Sequence, residues 1–289
     1  MSMRKERIIE SALFFSAFLS IIILGLIFIF LLREAIPIFS NVSPFDFLLG
    51  TEWFPTSFKN PRYGALPLIT GSLLVVITAT IIAVPLGVIC AIYIAEVASD
   101  RLREILKPVI EIIAGIPSVV FGFIALVILS NVVHEAFQST YRLNALNGAL
   151  ILALMILPTI ISISEDAINA VPQEYREASL AMGATKWETI RHVVIPSAKS
   201  GIMVGIMLGI GRAVGETMAV LMATGNAPIF TLDLLKSVET MTAVIAIEMG
   251  EVVFGSPHYH ALFAIGLVLF TITFVINLVA DIVINRGRS

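Results

Sequence analysis

Two residues of opposite charge stand four apart inside an otherwise apolar stretch: Arg212 and Glu216, in Gly211-Arg212-Ala213-Val214-Gly215-Glu216-Thr217. On one helix, positions i and i+4 share a face, so the guanidinium and the carboxylate can pair. An unpaired charge at the centre of a bilayer costs about 2.5 to 3.5 kcal/mol on insertion scales, so such residues normally face a pore or a partner. A guanidinium on a water-accessible path suits a tetrahedral oxyanion, because its fixed fork of donors meets two oxygens at once. Glu216 would hold Arg212 while no anion is present, and the hydroxyls of Ser118 and Thr217 are candidate neutral donors. The competing reading is a buried ion pair that only holds two helices together. Hydroxyls in membrane helices also commonly bond their own backbone.

The elements that must position these side chains are read from hydropathy. Of 289 residues, 58% are hydrophobic and only 13% charged, whereas soluble domains are nearer half and a quarter. The formal net charge of -3 and the scatter of the 18 basic residues offer no basic face to nucleic acid. The lone cysteine, Cys90, lies in an apolar run, which excludes an internal disulfide framework and leaves a small packing residue. A helix needs about 20 apolar residues to cross the hydrocarbon core. Six runs qualify: 11–32, 66–95, 109–133, 148–164, 201–224 and 261–284. The basic segment before the first run opens like a secretory signal, but the run is longer than a signal core, so a retained span is expected.

Six spans put both termini on one side. With that side cytosolic, the inner segments hold Arg4, Lys5, Arg7, Arg101, Arg103, Lys107, Arg176, Lys186, Arg191, Lys199, Arg286 and Arg288. The outer ones hold Arg33, Lys59, Arg62, Arg142 and Lys236. This asymmetry fits the positive-inside rule. The outer segment 34–65 carries Trp53 and Phe54, which suit either an aromatic interfacial anchor or a passive linker. Within the outer segment 225–260, the stretch 232–253 is apolar enough for a re-entrant or interfacial helix, while Glu239, Glu248 and Glu251 argue against full insertion. His258 and His260 have no third metal ligand nearby in sequence, so no metal site is expected. Gly201, Gly205 and Gly209 read as a small-residue stripe for close helix packing. Pro85, Pro117 and Pro158 mark bends or breaks in spans two to four.

Between spans four and five, 165–200 is too polar to insert and too regular for a linker. Pro172 suits a first helical position, Val171, Tyr175, Ala178 and Met182 share a face, and Gly183 offers a left-handed C-terminal cap. Thr185 and Glu188 form a possible capping box, after which Trp187, Ile190 and Val194 share a face until Pro196 stops the run. An apolar face on such a hairpin needs a cover, either the chain's own span ends or a groove on another protein.

Glu177-Ala178-Ser179, three residues, Gly183, nine residues and Val193-Val194-Ile195-Pro196 resemble the EAA loop of the binding-protein-dependent ABC importer permeases. Ser replaces the second Ala, Val the Ile and Ile the Leu. The resemblance implies that Tyr175 to Gly183 is a coupling helix that docks in an ATPase cleft through Tyr175, Glu177, Ala178, Ser179 and Gly183. No GxxxxGK[ST] phosphate loop occurs in the chain, so ATP and Mg belong to the partner ATPase and this chain needs no cofactor of its own. No HExxH, GxSxG or other nucleophile and base set is present, so an enzyme is not expected.

More of the chain is similar to the phosphate-specific permeases of that family, and closer to their PstC-type than their PstA-type member. The similarity runs through Trp53-Phe54-Pro55, Val84-Pro85-Leu86-Gly87, Ala91 to Glu96, Glu111 to Phe123 and Gly211 to Ala219. It implies an all-α membrane protein, six transmembrane helices in a type I ABC importer permease fold, with the coupling helix between spans four and five. It divides the chain into an N-terminal span and external loop (1–65), a permease core (66–284, coupling loop 165–200) and a cytosolic tail (285–289). It further implies phosphate import through the cytoplasmic membrane, with a PstA-type permease as heterodimer partner, two ABC ATPase subunits and an external phosphate-binding protein. In that family the residues matching Arg212 and Glu216 are associated with phosphate passage. Importers of molybdate, sulfate or phosphonate share the docking loop, and an ion-coupled secondary carrier would also use an intramembrane Arg and Glu.

Overall fold

The computed structural model describes residues 3–57 and 59–286; residues 287–289 of the expected tail lie outside the described residues. The helix α1 (Met3–Ala35) leads through a 3₁₀ turn (Ile36–Ser40) to α2 (Pro44–Leu49), capped by the Ser43 hydroxyl. A two-stranded antiparallel hairpin follows, β1 (Trp53–Phe54) and β2 (Arg62–Tyr63), with Trp53 opposite Tyr63. Then come α3 (Leu66–Ile92), a π turn (Tyr93–Val97), α4 (Asp100–Ala114), α5 (Ser118–Ile124), a second π turn (Ala125–Leu129) and α6 (Ser130–Phe137). The chain continues through α7 (Ala145–Asn169), α8 (Gln173–Ala181), α9 (Lys186–Thr189), a third π turn (Ile190–Val194), α10 (Ile195–Val214) and α11 (Met218–Ala223). It ends in α12 (Met241–Glu248) and α13 (Pro257–Arg286).

Six helical stretches among the described residues are long and apolar enough to cross a membrane: Ile9–Ser40, Leu66–Val97, Ser118–Phe137, Ala145–Asn169, Lys186–Val214 and Pro257–Val279. Two differ from the sequence expectation for a physical reason. The run 109–133 is cut at Gly115-Ile116-Pro117, because Pro117 has extended backbone and cannot continue α4. Its first apolar residues belong to the separate helix α4, none of whose residues is buried. The run 201–224 is cut after Val214, and its helix begins earlier, since Pro196 does not stop it. Pro196 sits in the first turn of α10, directly after the π turn Ile190–Val194. A π turn relaxes the clash a proline makes with the preceding turn, so one rod runs from Lys186 to Val214. Pro85 and Pro158 lie inside uninterrupted helices.

The centre of the bundle is α7, buried along most of its length between α3 and α10. Small residues make both approaches close. A Cβ on Gly87 of α3 would lie 2.7 Å from Cγ2 of Ile160, and one on Gly209 of α10 would lie 2.8 Å from Cγ1 of the same isoleucine. A Cβ on Gly205 would lie 3.1 Å from the Ser164 hydroxyl. This is the expected small-residue stripe, matched by Ala79, Ala83 and Gly87 on α3. By contrast α1 packs chiefly on α13 among the described residues, through Phe28 on Phe270 and Phe30 on Phe263, ring centroids 5.6 Å apart in each pair. Apart from its buried end at Ala35, most of its remaining described apolar surface is bare, as a lipid-facing span allows. Cys90 is exposed on α3, not packed inside as expected.

Candidate functional site

Arg212 lies near the end of α10, half-buried, and Gly215 caps that helix. The helix stops at Val214 and resumes as α11 at Met218, so Arg212 and Glu216 do not share a helical face. The pair expected from i, i+4 spacing is not formed. Arg212 Nη1 instead donates to the Thr159 hydroxyl of α7 at 3.3 Å, and no carboxylate lies within ion-pair distance of it among the described residues. The Glu216 carboxylate accepts the Ala219 backbone N–H at 3.0 Å, satisfying one free donor at the start of α11. Thr217 donates to the Gly215 carbonyl at 3.4 Å, a local backbone bond. The result is a broken span with a guanidinium on one side of the break and a carboxylate in it.

Ser118 is the first residue of α5, beyond the other break. A Cβ on Gly122 would lie 3.1 Å from the Met218 carbonyl oxygen and 3.2 Å from the Ala219 Cα, so α5 and α11 pack side by side. Ser118 makes no hydrogen bond to Arg212, Glu216 or Thr217. Thr159 was not singled out in the sequence, and only its hydroxyl facing Arg212 marks it.

At one end of the bundle, α8 and α9 form the expected hairpin. Pro172 precedes α8 as its cap residue, one position earlier than expected. Gly183 has φ +89°, with its N–H on the Leu180 carbonyl (3.0 Å) and the Ala184 N–H on that of Ser179 (3.2 Å), the paired bonds of a Schellman cap. The capping box is present: the Thr185 hydroxyl accepts the Glu188 N–H, and the Glu188 carboxylate accepts the Thr185 N–H at 2.8 Å. Ser179 and Thr189 hydroxyls meet at 2.9 Å and close the hairpin. Tyr175, Glu177, Ala178 and Gly183 are exposed, and Met182 is 89% exposed. The chain's own span ends cover only Val171, Ile190 and Val194, leaving the Tyr175, Met182 and Trp187 side of the hairpin bare.

The base of the hairpin is charged and tightly bonded. Arg176 donates Nη2 to Glu96 at 2.7 Å and Nε to the same oxygen at 3.1 Å, and bonds the Ile168 and Val171 carbonyls. Arg103 of α4 donates to the Ile94 and Ala95 carbonyls. Lys107 binds Glu165 at 2.9 Å and Asp166 at 3.3 Å; the hydrogen bond to Glu165 pushes its ammonium up, against partial burial, which lowers it.

At the opposite end, Trp53 is fully buried, a core residue and no interfacial anchor, while Phe54 beside it is exposed. Its Nε1–H reaches both Glu248 carboxylate oxygens at 3.3 Å, and His258 Nε2 lies 2.7 Å from Oε2. His260 Nδ1 lies 2.7 Å from the Glu34 carbonyl oxygen, so the two histidines have separate partners. No group of three metal-ligating side chains occurs among the described residues. Within 232–253 the structure forms the short helix α12, whose first residues are buried. Glu239, just before it, is 5% exposed, and burial, aided by the Glu248 charge, pushes its carboxyl up to about 8.

Comparison with known proteins fits this architecture. Residues 83–288 match the family described as "Binding-protein-dependent transport system inner membrane component". The chain is 39% identical to the "Probable ABC transporter permease protein YqgH" of Bacillus subtilis (strain 168), over 86% of this chain and 80% of that protein. It is 36% identical to the "Phosphate transport system permease protein PstC" of Mesorhizobium japonicum, over 84% and 79%. Among solved structures, a bacterial ABC transporter involved in import of the acidic polysaccharide alginate superposes with a TM-score of 0.59 at 16% identity, covering 99% of both chains. The inward-facing MetNI methionine ABC transporter superposes with a TM-score of 0.59 at 15% identity, covering 76% of this chain and 95% of that one. The fold is that of a type I ABC importer permease.

Proposed function

This chain belongs to the binding-protein-dependent transport system inner membrane component family, a multi-pass permease of an ABC importer, and we propose that its cargo is inorganic phosphate. The observation that carries the proposal is Arg212: a half-buried guanidinium at a helix break in a membrane span, held among the described residues by one hydroxyl and by no carboxylate. Its unused donors suit an oxyanion with two oxygens to offer. Relatives named as phosphate permeases support the same cargo. Glu216, Thr217 and Ser118 border the path in this reading.

The bare side of the α8–α9 hairpin receives an ATPase subunit, which binds ATP and Mg, and the hairpin end is the cytosolic one. Two such ATPases, a PstA-type permease as second half of the path and an external phosphate-binding protein complete the transporter. Uptake by vesicles containing that complex tests the cargo. Labelled phosphate should enter only with ATP and the binding protein. Excess molybdate, sulfate or phosphonate should leave entry unchanged; entry of one of these in place of phosphate overturns the cargo. Phosphate entry driven by an ion gradient with this chain alone overturns the importer reading.

A further inference from the structure

The break at 215–217 is not held by its own helix alone. The Glu216 carbonyl lies between two helices, and Thr242 donates its hydroxyl to it at 2.8 Å. Thr242 stands in the first turn of α12, which three further contacts fix. The Thr240 hydroxyl caps the helix by accepting the Ala243 N–H at 3.3 Å and meets the Thr242 hydroxyl at 3.2 Å. The Met241 N–H donates to the Ser72 hydroxyl of α3 at 2.8 Å. A side chain on Gly71 would collide with the Glu239 carbonyl oxygen, so this backbone lies directly on α3. Residues 240–244 are all buried. The other end of α12 is Glu248, bonded to Trp53 and His258.

We propose that Thr242 is a positioning residue for transport: its hydroxyl fixes the 215–217 break, and α12 ties that break to the Trp53, Glu248 and His258 cluster at the end of the bundle away from the α8–α9 hairpin. A change at that end of the bundle, where a delivering protein would seat, then reaches the break through eight residues of helix with both ends bonded. Without the hydroxyl, the Glu216 carbonyl loses its donor while the helix α12 remains. The inference rests on the reading that Arg212 and Glu216 lie on the phosphate path.

The test is the ratio of phosphate moved to ATP hydrolysed in vesicles holding the full transporter with its binding protein. Thr242→Val keeps the shape and removes the donor; losing one hydrogen bond of about 1 kcal/mol should lower the ratio about fivefold. Thr242→Ser keeps the donor and should hold the ratio within about twofold of wild type. A ratio unchanged in Thr242→Val, or lowered equally in Thr242→Ser, overturns the proposal. Loss of the assembled complex in Thr242→Val also overturns it, by assigning the hydroxyl to folding. Wild-type vesicles that hydrolyse ATP and admit no phosphate would strike the phosphate reading itself, a result separable from any difference among the variants.

Discussion

Arg176 and Glu96, 80 residues apart in sequence, form an ion pair at 2.7 Å with side chains only 15% and 10% exposed. Because Arg176 also bonds the Ile168 and Val171 carbonyls, one guanidinium joins the hairpin to the ends of α3 and α7. Breaking a buried pair by removing one partner typically costs about 3 to 5 kcal/mol, since the other charge is left uncompensated. We expect Arg176→Gln and Glu96→Gln each to lower the melting temperature of the solubilised protein, and the double variant to recover part of the loss. Purely additive losses would show that the two side chains are not coupled.

Gly183 occupies open space, so its requirement is conformational. Its φ of +89° is one that side-chain-bearing residues rarely adopt, and a β-branched residue there costs about 1 to 3 kcal/mol. Gly183→Val should open the Schellman cap, weaken co-purification with the ATPase and uncouple hydrolysis from uptake. Retained coupling in that variant would count against the docking geometry.

Met182 tests the docking face without the backbone. Being almost wholly exposed, it contributes little to the fold of this chain, so Met182→Ser should leave the melting temperature within about 1 °C. The same variant should release the ATPase more readily in a pull-down. An unchanged pull-down would move the docking surface elsewhere on the hairpin.

Arg212→Gln should abolish phosphate uptake while the transporter still assembles. Among the described residues Arg212 has one hydrogen bond and no ion pair to lose, so its removal leaves no described carboxylate unpaired. Arg212→Lys keeps the charge and loses the fork, and should retain a fraction of uptake. Loss of assembly in the Gln variant would instead assign Arg212 to helix packing.

Glu239 gives the fold a pH dependence. Its carboxyl is raised from 4.5 to about 8 by burial and by Glu248, so between those values the folded chain holds a proton that the unfolded chain has released. Stability from this group is therefore fully present below pH 4.5 and is lost as pH rises towards 8. Glu239→Gln should flatten the decline of melting temperature across that window and melt higher than wild type at pH 8.5. A steeper decline in the variant would reverse the sign of the argument.

The parts of this molecule specified by neighbouring residues were legible in its sequence. Gly183, Thr185 and Glu188 act within a few positions of one another, and the glycines of α10 repeat at helical spacing, so each was readable from pattern. The Arg212 and Glu216 pair was misread because the i, i+4 spacing carries no mark of the break after Val214, where the Glu216 carbonyl turns to a hydroxyl 26 positions further on. Trp53 was read as a possible surface anchor because its carboxylate partner lies 195 positions away. Span three was started too early because the apolar side of α4 runs unbroken in sequence into α5, and only the extended backbone at Pro117 divides them.

The clasp between α1 and α13 joins the first long helix of the chain to the last. At synthesis rates of about 5 to 20 residues per second, Phe28 therefore waits roughly 10 to 50 s before Phe270 exists to receive it. During that interval the ring face of α1 has no partner, and only its end at Ala35 has the cluster of Ile38, Phe47, Trp53 and Leu68 to pack with. Seating of α1 on α13 is then a late capture event, and truncation that removes Phe263 and Phe270 should leave α1 without its ring contacts.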